Sequence, residues 1–232
     1  MTLRNLPISP PPPGADFERP NAATLLWAYS NSLFPMGDAA TGEVGWYSPD
    51  PRSIIPLDTF HAPRRLQREA RHPKFEVRAD TAFEEVIRAC APPRTQSNGQ
   101  WITDALLPAY LELHAIGHAH SVEAWLEDRL VGGLYGVHIG GAFCGESMFV
   151  RPDLGGTNAS KLCLVFLVHW LRVRGFMLLD TQFSNPHMDQ FGVLDIARAT
   201  YWRRLQAAIT APVTWGRFRP LSEAALADEN GD

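Results

Sequence analysis

The chain has 232 residues, 45% of them hydrophobic, and a net charge of -4, which supports one sizeable core with a smaller appendage and argues against general adhesion to nucleic acid. No apolar run approaches the roughly 18 residues of a membrane span, and the opening MTLRNLPISPPPPGADFERP lacks the continuous apolar stretch of a secretory signal. Cys90, Cys144 and Cys163 are scattered without metal-ligand spacing, so buried neutral thiols in a reducing cytoplasm are expected.

In chain order, residues 1–20 are rich in proline, with Pro10 to Pro13 consecutive, and read as an extended arm. Residues 21–72 read as a small N-terminal unit. It opens with a helix from Thr24 to Ser32, capped by Thr24 or Asn21. The loop FPMGDAATGEVGWYSPDPRSIIPL follows. It holds Phe34, Met36, Trp46 and Tyr47, large apolar groups that loops carry for packing or binding. From His61 to Arg78 the sequence sets Arg64, Arg65, Arg68, Arg71, Lys74 and Arg78 against only Glu69 and Glu76. That run is either a phosphate track or the solvated face of a helix.

Residues 73–212 read as the main domain. A strand from Lys74 to Arg78 leads into a helix from Asp80 to Cys90, with Asp80 as cap and Glu84 and Glu85 in the first turns. A second helix spans about Asp104 to Ile116, its first turn disturbed by Pro108 and its end set by Gly117. Three strand-like segments follow, AHSVEAWLED, RLVGGLYGVHIG and AFCGESMFV, with turns at Asp128 and Gly140-Gly141. Ser160 to Arg174 is a helix apolar on nearly every side, capped near Asn158 or Ser160 and stopped by Gly175, and must be buried between layers. FMLLDTQF is a buried strand, Ile196 to Ile209 a last, basic-faced helix, and residues 213–232 a tail. Antiparallel strands, then helix, strand and helix, describe an α+β sheet with one parallel junction.

Two places carry chemistry. LVGGLYGVHIGGAFCGESMF puts glycines inside strands and then delivers Glu146 and Ser147 among Phe143, Met148 and Phe149. This is either an ordinary hairpin with Glu146 in solvent or a cleft built on a sheet. In LLDTQF, Asp180 and Gln182 share one strand face at the end of a buried strand. Either they face a ligand, or Asp180 caps a turn while Gln182 bonds backbone.

With WYSPDPR at Trp46 to Arg52, WIT at Trp101 to Thr103, GHAHSVEAW at Gly117 to Trp125, GESMF at Gly145 to Phe149, ASK at Ala159 to Lys161 and LLDTQF at Leu178 to Phe183, the chain closely resembles the bacterial leucyl/phenylalanyl-tRNA-protein transferase family. The resemblance implies an acetyltransferase-like (GNAT-type) mixed-sheet domain with helices on its faces, plus a small N-terminal domain. It implies a cytoplasmic, monomeric enzyme without metal or organic cofactor. Such an enzyme moves leucine or phenylalanine from Leu-tRNA or Phe-tRNA to proteins with N-terminal Arg or Lys, marking them for degradation.

By the same resemblance Asp180 and Gln182 are the catalytic pair. Gln182 orients groups or donates to an oxyanion, and Asp180 orients Gln182 or accepts a proton, directly or by relay. Glu146 suits an ammonium or guanidinium of either substrate. Ser147, Met148, Phe149 and Ser160 belong with the aminoacyl pocket, a methionine wall admitting both side-chain shapes. The strand glycines leave room for the aminoacyl-adenosine end. Trp46, Tyr47 and Trp101 stack on the terminal adenosine or pack in the core. Arg52, Lys161, Arg64, Arg65, Arg68, Arg71 and Lys74 are the expected tRNA contacts. His118, His120 and His187 are proton carriers or structural histidines. The competing readings are an acyl-CoA-dependent N-acyltransferase, whose pyrophosphate loop RPDLGGTNASK matches poorly, and a non-catalytic RNA-binding module, which leaves Glu146, Asp180 and Gln182 unexplained.

Overall fold

The computed structural model describes residues 9–91 and 101–220. The first eight residues of the proline-rich arm and positions 221–232 of the tail lie outside that description. The elements run α1 (Ala22–Ser30), β1 (Phe34–Gly37), β2 (Val44–Tyr47), β3 (Arg52–Ile55), α2 (Arg64–Arg71), β4 (Glu76–Ala79), α3 (Phe83–Cys90) and α4 (Leu107–Ala115). Then come β5 (Ala119–Leu126), β6 (Arg129–Ile139), β7 (Ala142–Val150), α5 (Ala159–Arg174), β8 (Leu178–Gln182), α6 (Pro186–Asp189), β9 (Leu194–Ile196) and α7 (Arg198–Ile209).

Strands β1 and β2 form a separate antiparallel ribbon, and the other strands form one seven-stranded sheet in the order β4-β5-β6-β7-β8-β3-β9. All its pairs are antiparallel except β7 with β8. Parallel neighbours require a crossover, and α5 supplies it. Its buried Leu162, Phe166, Leu167 and Leu171 pack on one face of the sheet together with Leu66 and Ala70 of α2. The opposite face carries α1, α3 and α4 through Leu25, Tyr29, Val86, Ile87, Tyr110 and Leu113. Helix α7 covers the β8-β3 end with Tyr201, Leu205 and Ala208. The α+β architecture with a single parallel junction is as expected.

Several local expectations change. The glycine- and proline-punctuated loop after α1 contains three four-residue strands, too short to show a period. One of them, β3, inserts between β8 and β9, so the main sheet takes a strand from the segment assigned to the N-terminal unit. Asp80 does not cap α3. It sits at φ 59 and accepts from the Ser121 backbone N–H at 2.9 Å. Glu123, on β5, holds the turn that leads into α3, taking the backbone N–H groups of Thr81 at 3.0 Å and Ala82 at 2.9 Å, and α3 itself has no side-chain cap. Pro108 falls in the first turn of α4, where its missing N–H is no loss.

The glycines of β6 serve packing. A Cβ at Gly132 would lie 2.6 Å from the Ala159 Cβ, so this position lets the start of α5 rest on the sheet. Gly133 lies under Phe149 and Val86, and Gly136 under the Phe143 ring. The room expected for a substrate at these glycines is filled by protein. Gly145, in β7, differs: a Cβ there would meet only the Asp180 carbonyl, at an ordinary 3.4 Å. Gly132→Val should therefore cost about 1 to 3 kcal/mol in urea unfolding by forcing α5 off the sheet, whereas Gly145→Ala should stay within about 1 kcal/mol of the parent.

Candidate active site

Arg52, expected to touch phosphate, is 1% exposed, and Asp180 is 0% exposed. They are partners. Arg52 Nε donates to Asp180 Oδ1 at 2.9 Å and Nη2 to Oδ2 at 2.5 Å, the paired geometry in which guanidinium and carboxylate bind most strongly. The guanidinium lies between the Phe34 and Tyr201 rings, 4.6 Å from each centroid, and Nη1 donates to the Ser32 carbonyl at 3.3 Å. Burial opposes its charge, but the Asp180 carboxylate outweighs that and raises its pKa. Arg52 is a structural cation enclosed by protein, and a phosphate cannot reach it there.

Asp180 accepts two further hydrogen bonds, from Tyr201 Oη to Oδ2 at 2.9 Å and from the Gln182 backbone N–H to Oδ1 at 2.9 Å. Gln182 has φ 65, and Phe183 N–H donates to the Thr181 carbonyl at 2.7 Å. This is a γ-turn centred on Gln182, a conformation that needs outside support. Asp180 gives that support. It has no exposed surface of its own.

The parallel pairing of β7 with β8 runs from Ala142–Leu178 to Cys144–Asp180 and stops. Beyond it the strands part. Glu146 sits just past the parting, and it is the extra residue of a β-bulge: Tyr135 faces Ser147 and Gly136 faces Gly145, leaving Glu146 without an opposite number. Gln182 Nε2 donates to Glu146 Oε1 across the gap at 2.9 Å. Tyr110 Oη donates to Oε2 at 3.3 Å, and the Tyr29 and Tyr110 hydroxyls are 2.7 Å apart. Burial pushes the Glu146 carboxyl up to about 7; hydrogen bonding from the tyrosine pair and from Gln182 pulls it down, Asp180 pushes it up and Arg52 pulls it down. The cleft reading of this block is the one the fold supports.

Beside Glu146 lies a cavity of about 100 Å³. Its apolar wall is Leu134, Met148, Leu164, Leu167, Leu179 and Met188, and Tyr135, Gly145, Ser147, Thr181, Asn185 and His187 complete it. Phe149 is not part of this cavity. It faces the other side of the strand, against Val86 and Gly133 and beneath Arg151. Ser160 is also absent from the cavity, being buried in the first turn of α5 with its backbone against Gly132.

The aromatic candidates divide. Trp46 donates from Nε1 to the Phe17 carbonyl at 3.0 Å and meets the Phe17 ring edge-on, so it anchors the N-terminal arm. Trp101 is half-buried against the α1-α4 cluster, and its carbonyl accepts from Gly37. Tyr47 is 44% exposed and stacks on Phe34, which meets Phe183 edge-on beside the Gln182 turn. Of the three, Tyr47 has the free surface near the site.

Arg64, Arg65 and Arg68 project from α2 and are exposed, as is Lys74, while Arg71 and Lys161 are half-buried. The opposite side of α2 is pinned on α5 by Leu66 and Ala70. Arg65 pairs with Glu69 at 3.0 Å, and Lys74 donates to the Gly155 carbonyl at 2.8 Å. His120 lies between Asp80 and His138, at 2.9 and 3.1 Å, and stacks on Trp215. His118 bonds the His138 carbonyl. These two are structural, while His187 stands at the cavity.

The three cysteines are buried and free. Burial, then the Asp180 charge, raises the Cys144 thiol well above its ordinary range, so it is no nucleophile. Among the described residues no His/Cys/Asp/Glu group could hold a metal, and no helix is long and apolar enough to cross a membrane.

Comparison with known proteins gives one consistent result. The model of the family described as leucyl/phenylalanyl-tRNA protein transferase matches residues 54–206, and that of its N-terminal domain matches residues 19–50, the division falling across the start of β3. A leucyl/phenylalanyl-tRNA–protein transferase of Salinibacter ruber (strain DSM 13855 / M31) is 49% identical over 204 residues, covering 88% of this chain and 85% of its own. That of Gloeobacter violaceus (strain ATCC 29082 / PCC 7421) is 48% identical over 189 residues, covering 81% and 93%. Among solved structures, the ribosomal-protein-alanine N-acetyltransferase of Brucella melitensis biovar Abortus 2308 matches with a TM-score of 0.38 at 15% identity, covering 50% of this chain and 84% of its own. A likeness of that size bears on neither fold nor function.

Two stability measurements check this geometry. Arg52→Met leaves the Asp180 carboxylate buried and unpaired and should destabilise by about 3 to 5 kcal/mol in urea, most of it recovered in R52M/D180L. For Glu146 the folded state favours the protonated carboxyl, so its contribution to stability is full below its ordinary 4.5 and is lost as pH rises through about 7. The melting temperature of the parent should accordingly fall, relative to that of Glu146→Gln, between pH 5 and pH 8.

Proposed function

Because the chain belongs to the leucyl/phenylalanyl-tRNA protein transferase family, we propose that it transfers leucine or phenylalanine from aminoacyl-tRNA to the α-amino group at a protein's N-terminus, with Arg or Lys as the accepting residue and degradation of the product as its consequence. The observation that carries this reading is the parting of β7 and β8, where Gln182 and Glu146 meet beside an apolar cavity.

In aminolysis of the ester a C–N bond forms and the C–O bond to the terminal ribose breaks. The nitrogen loses a proton, and the ribose oxygen gains one. An α-amino group with pKa 7.7 to 8.0 is already roughly 10 to 20% neutral at pH 7, so orientation and a modest proton acceptor suffice. The leucine or phenylalanine side chain enters the cavity, where Met148 and Met188 adapt to either shape. Gln182 commits Nε2 to Glu146, which leaves its Oε1 to accept from the attacking amine. Glu146, near 7, takes the proton that the amine releases. Asp180 is a positioning residue, holding the Gln182 turn from behind while Arg52 neutralises it. Arg64, Arg65, Arg68, Arg71, Lys74 and Lys161 attract the tRNA backbone, and Tyr47 offers a ring to its terminal base.

Labelled Leu-tRNA incubated with peptides beginning in Arg, Lys or Ala should give label transfer to the first two. Transfer from acetyl-CoA but not from tRNA sinks the reading, and tight tRNA binding without transfer favours a binding module. Gln182→Ala should lower kcat by about 10²-fold, the scale of losing one oriented polar group, with tRNA affinity retained. R64E/R68E should do the reverse, raising KM for the tRNA by about tenfold or more and flattening its salt dependence.

A further inference from the structure

Tyr29 and Tyr110 are two large polar side chains near the site, hydrogen-bonded to each other, that neither the sequence motifs nor the proposed mechanism uses. They come from α1 and α4, which pack against each other, and both rings are fully buried. Phenylalanine would fill the same space without placing two hydroxyls in an apolar cluster. Buried hydroxyls persist where they are satisfied, and here they satisfy each other and a carboxyl: Tyr29 Oη to Tyr110 Oη at 2.7 Å, then Tyr110 Oη to Glu146 Oε2 at 3.3 Å. From Glu146 the line continues to Gln182 Nε2 at 2.9 Å.

We propose that Tyr29 is a positioning residue of the transfer reaction: acting through Tyr110, it orients the Glu146 carboxyl toward the parted strands and stabilises its ionised form. This deepens the reading of Glu146 as proton acceptor and rests on it. When Glu146 is ionised, Tyr29 donates to Tyr110 and Tyr110 donates to Oε2, a relayed hydrogen bond in a dry setting where such chains reinforce one another. Glu146 then gains its proton on the side that faces Gln182, and the tyrosine line stays in place through the step.

The other groups that bear on Glu146 are accounted for. Gln182 bonds its second oxygen, and Asp180 of β8 and Arg52 of β3 act with opposite signs. Cys144 and Tyr135 are buried, and burial raises the pKa of each. Thr181 and His187 line the cavity. Among the described residues the oxygen turned away from Gln182 accepts from Tyr110, which Tyr29 backs, and burial keeps both phenols protonated across the working pH range.

The test is the pH dependence of kcat/KM between pH 5.5 and 9 for the full-length enzyme with Leu-tRNA and an Arg-peptide, compared among parent, Y29F, Y110F and E146Q. Loss of the Tyr29 hydroxyl weakens the ionised carboxyl, so Y29F should move the Glu146-dependent part of the acidic limb up by about half to one pH unit. That is a threefold to tenfold loss at pH 6 with little change at pH 8.5, while KM for the tRNA stays constant. Y110F should shift further in the same direction, and E146Q should abolish that part of the limb. If E146Q keeps the parental profile, the reading of Glu146 fails and this proposal with it. If E146Q removes the limb but Y29F and Y110F superimpose on the parent, or lose activity equally at every pH in step with a lower melting temperature, the tyrosine line is packing alone and the proposal is overturned.

Discussion

The ion pair of Arg52 with Asp180 is the constraint on which the site depends. Two charges removed from water destabilise a fold unless their geometry is close to ideal, and here the guanidinium meets both carboxylate oxygens between two aromatic rings. Its partners reach into every nearby layer. Ser32 and Phe34 belong to the segment after α1, Arg52 to β3, Asp180 to β8 and Tyr201 to α7. Once β3 has joined β8 and α7 has closed over them, Asp180 has one orientation available. The turn at Gln182 inherits it.

Strand pairing then does the rest. A parallel ladder that ended flush would leave β7 and β8 with no space for a substrate. The β7-β8 ladder stops at Cys144 and Asp180, and the bulge at Glu146 turns the carboxyl into the opening. The same bulge reverses the facing of the residues beyond it. Met148 therefore joins the cavity with Leu134 while Phe149 packs on the opposite side with Val86. One inserted residue thus places an acid, sets which neighbour lines the pocket and leaves the sheet otherwise continuous.

These features differ in how far the sequence discloses them. The meander β5 to β7, helix α5 and strand β8 are legible because long alternating or apolar runs impose their period over many residues. Four-residue strands such as β1 to β3 carry no such signal. Glu146 stands out as a carboxylate among apolar neighbours, yet the bulge that explains it depends on β6. Arg52 looks like a surface cation because arginines usually are, and its partner lies 128 positions away. Tyr29 and Tyr110 sit at core positions of ordinary helices, where a hydroxyl and a missing hydroxyl leave the same pattern. Asp80 has the right residue type for a cap, but its carboxylate is drawn to the Ser121 backbone N–H once β4 and β5 have paired.

The distribution of charge follows the same logic. Cations meant for solvent are on α2, whose Leu66 and Ala70 fix it to α5 while Arg64, Arg65 and Arg68 stay exposed. There a long polyanion can be met without desolvating either side fully, and the attraction is tunable by salt. The cation behind Gln182, Arg52, is instead enclosed and matched to one carboxylate. A free guanidinium beside Gln182 would draw phosphate into the cleft and would lower the proton affinity of Glu146 further. Pairing Arg52 with Asp180 opposes that field, and the cleft keeps a carboxyl of intermediate strength.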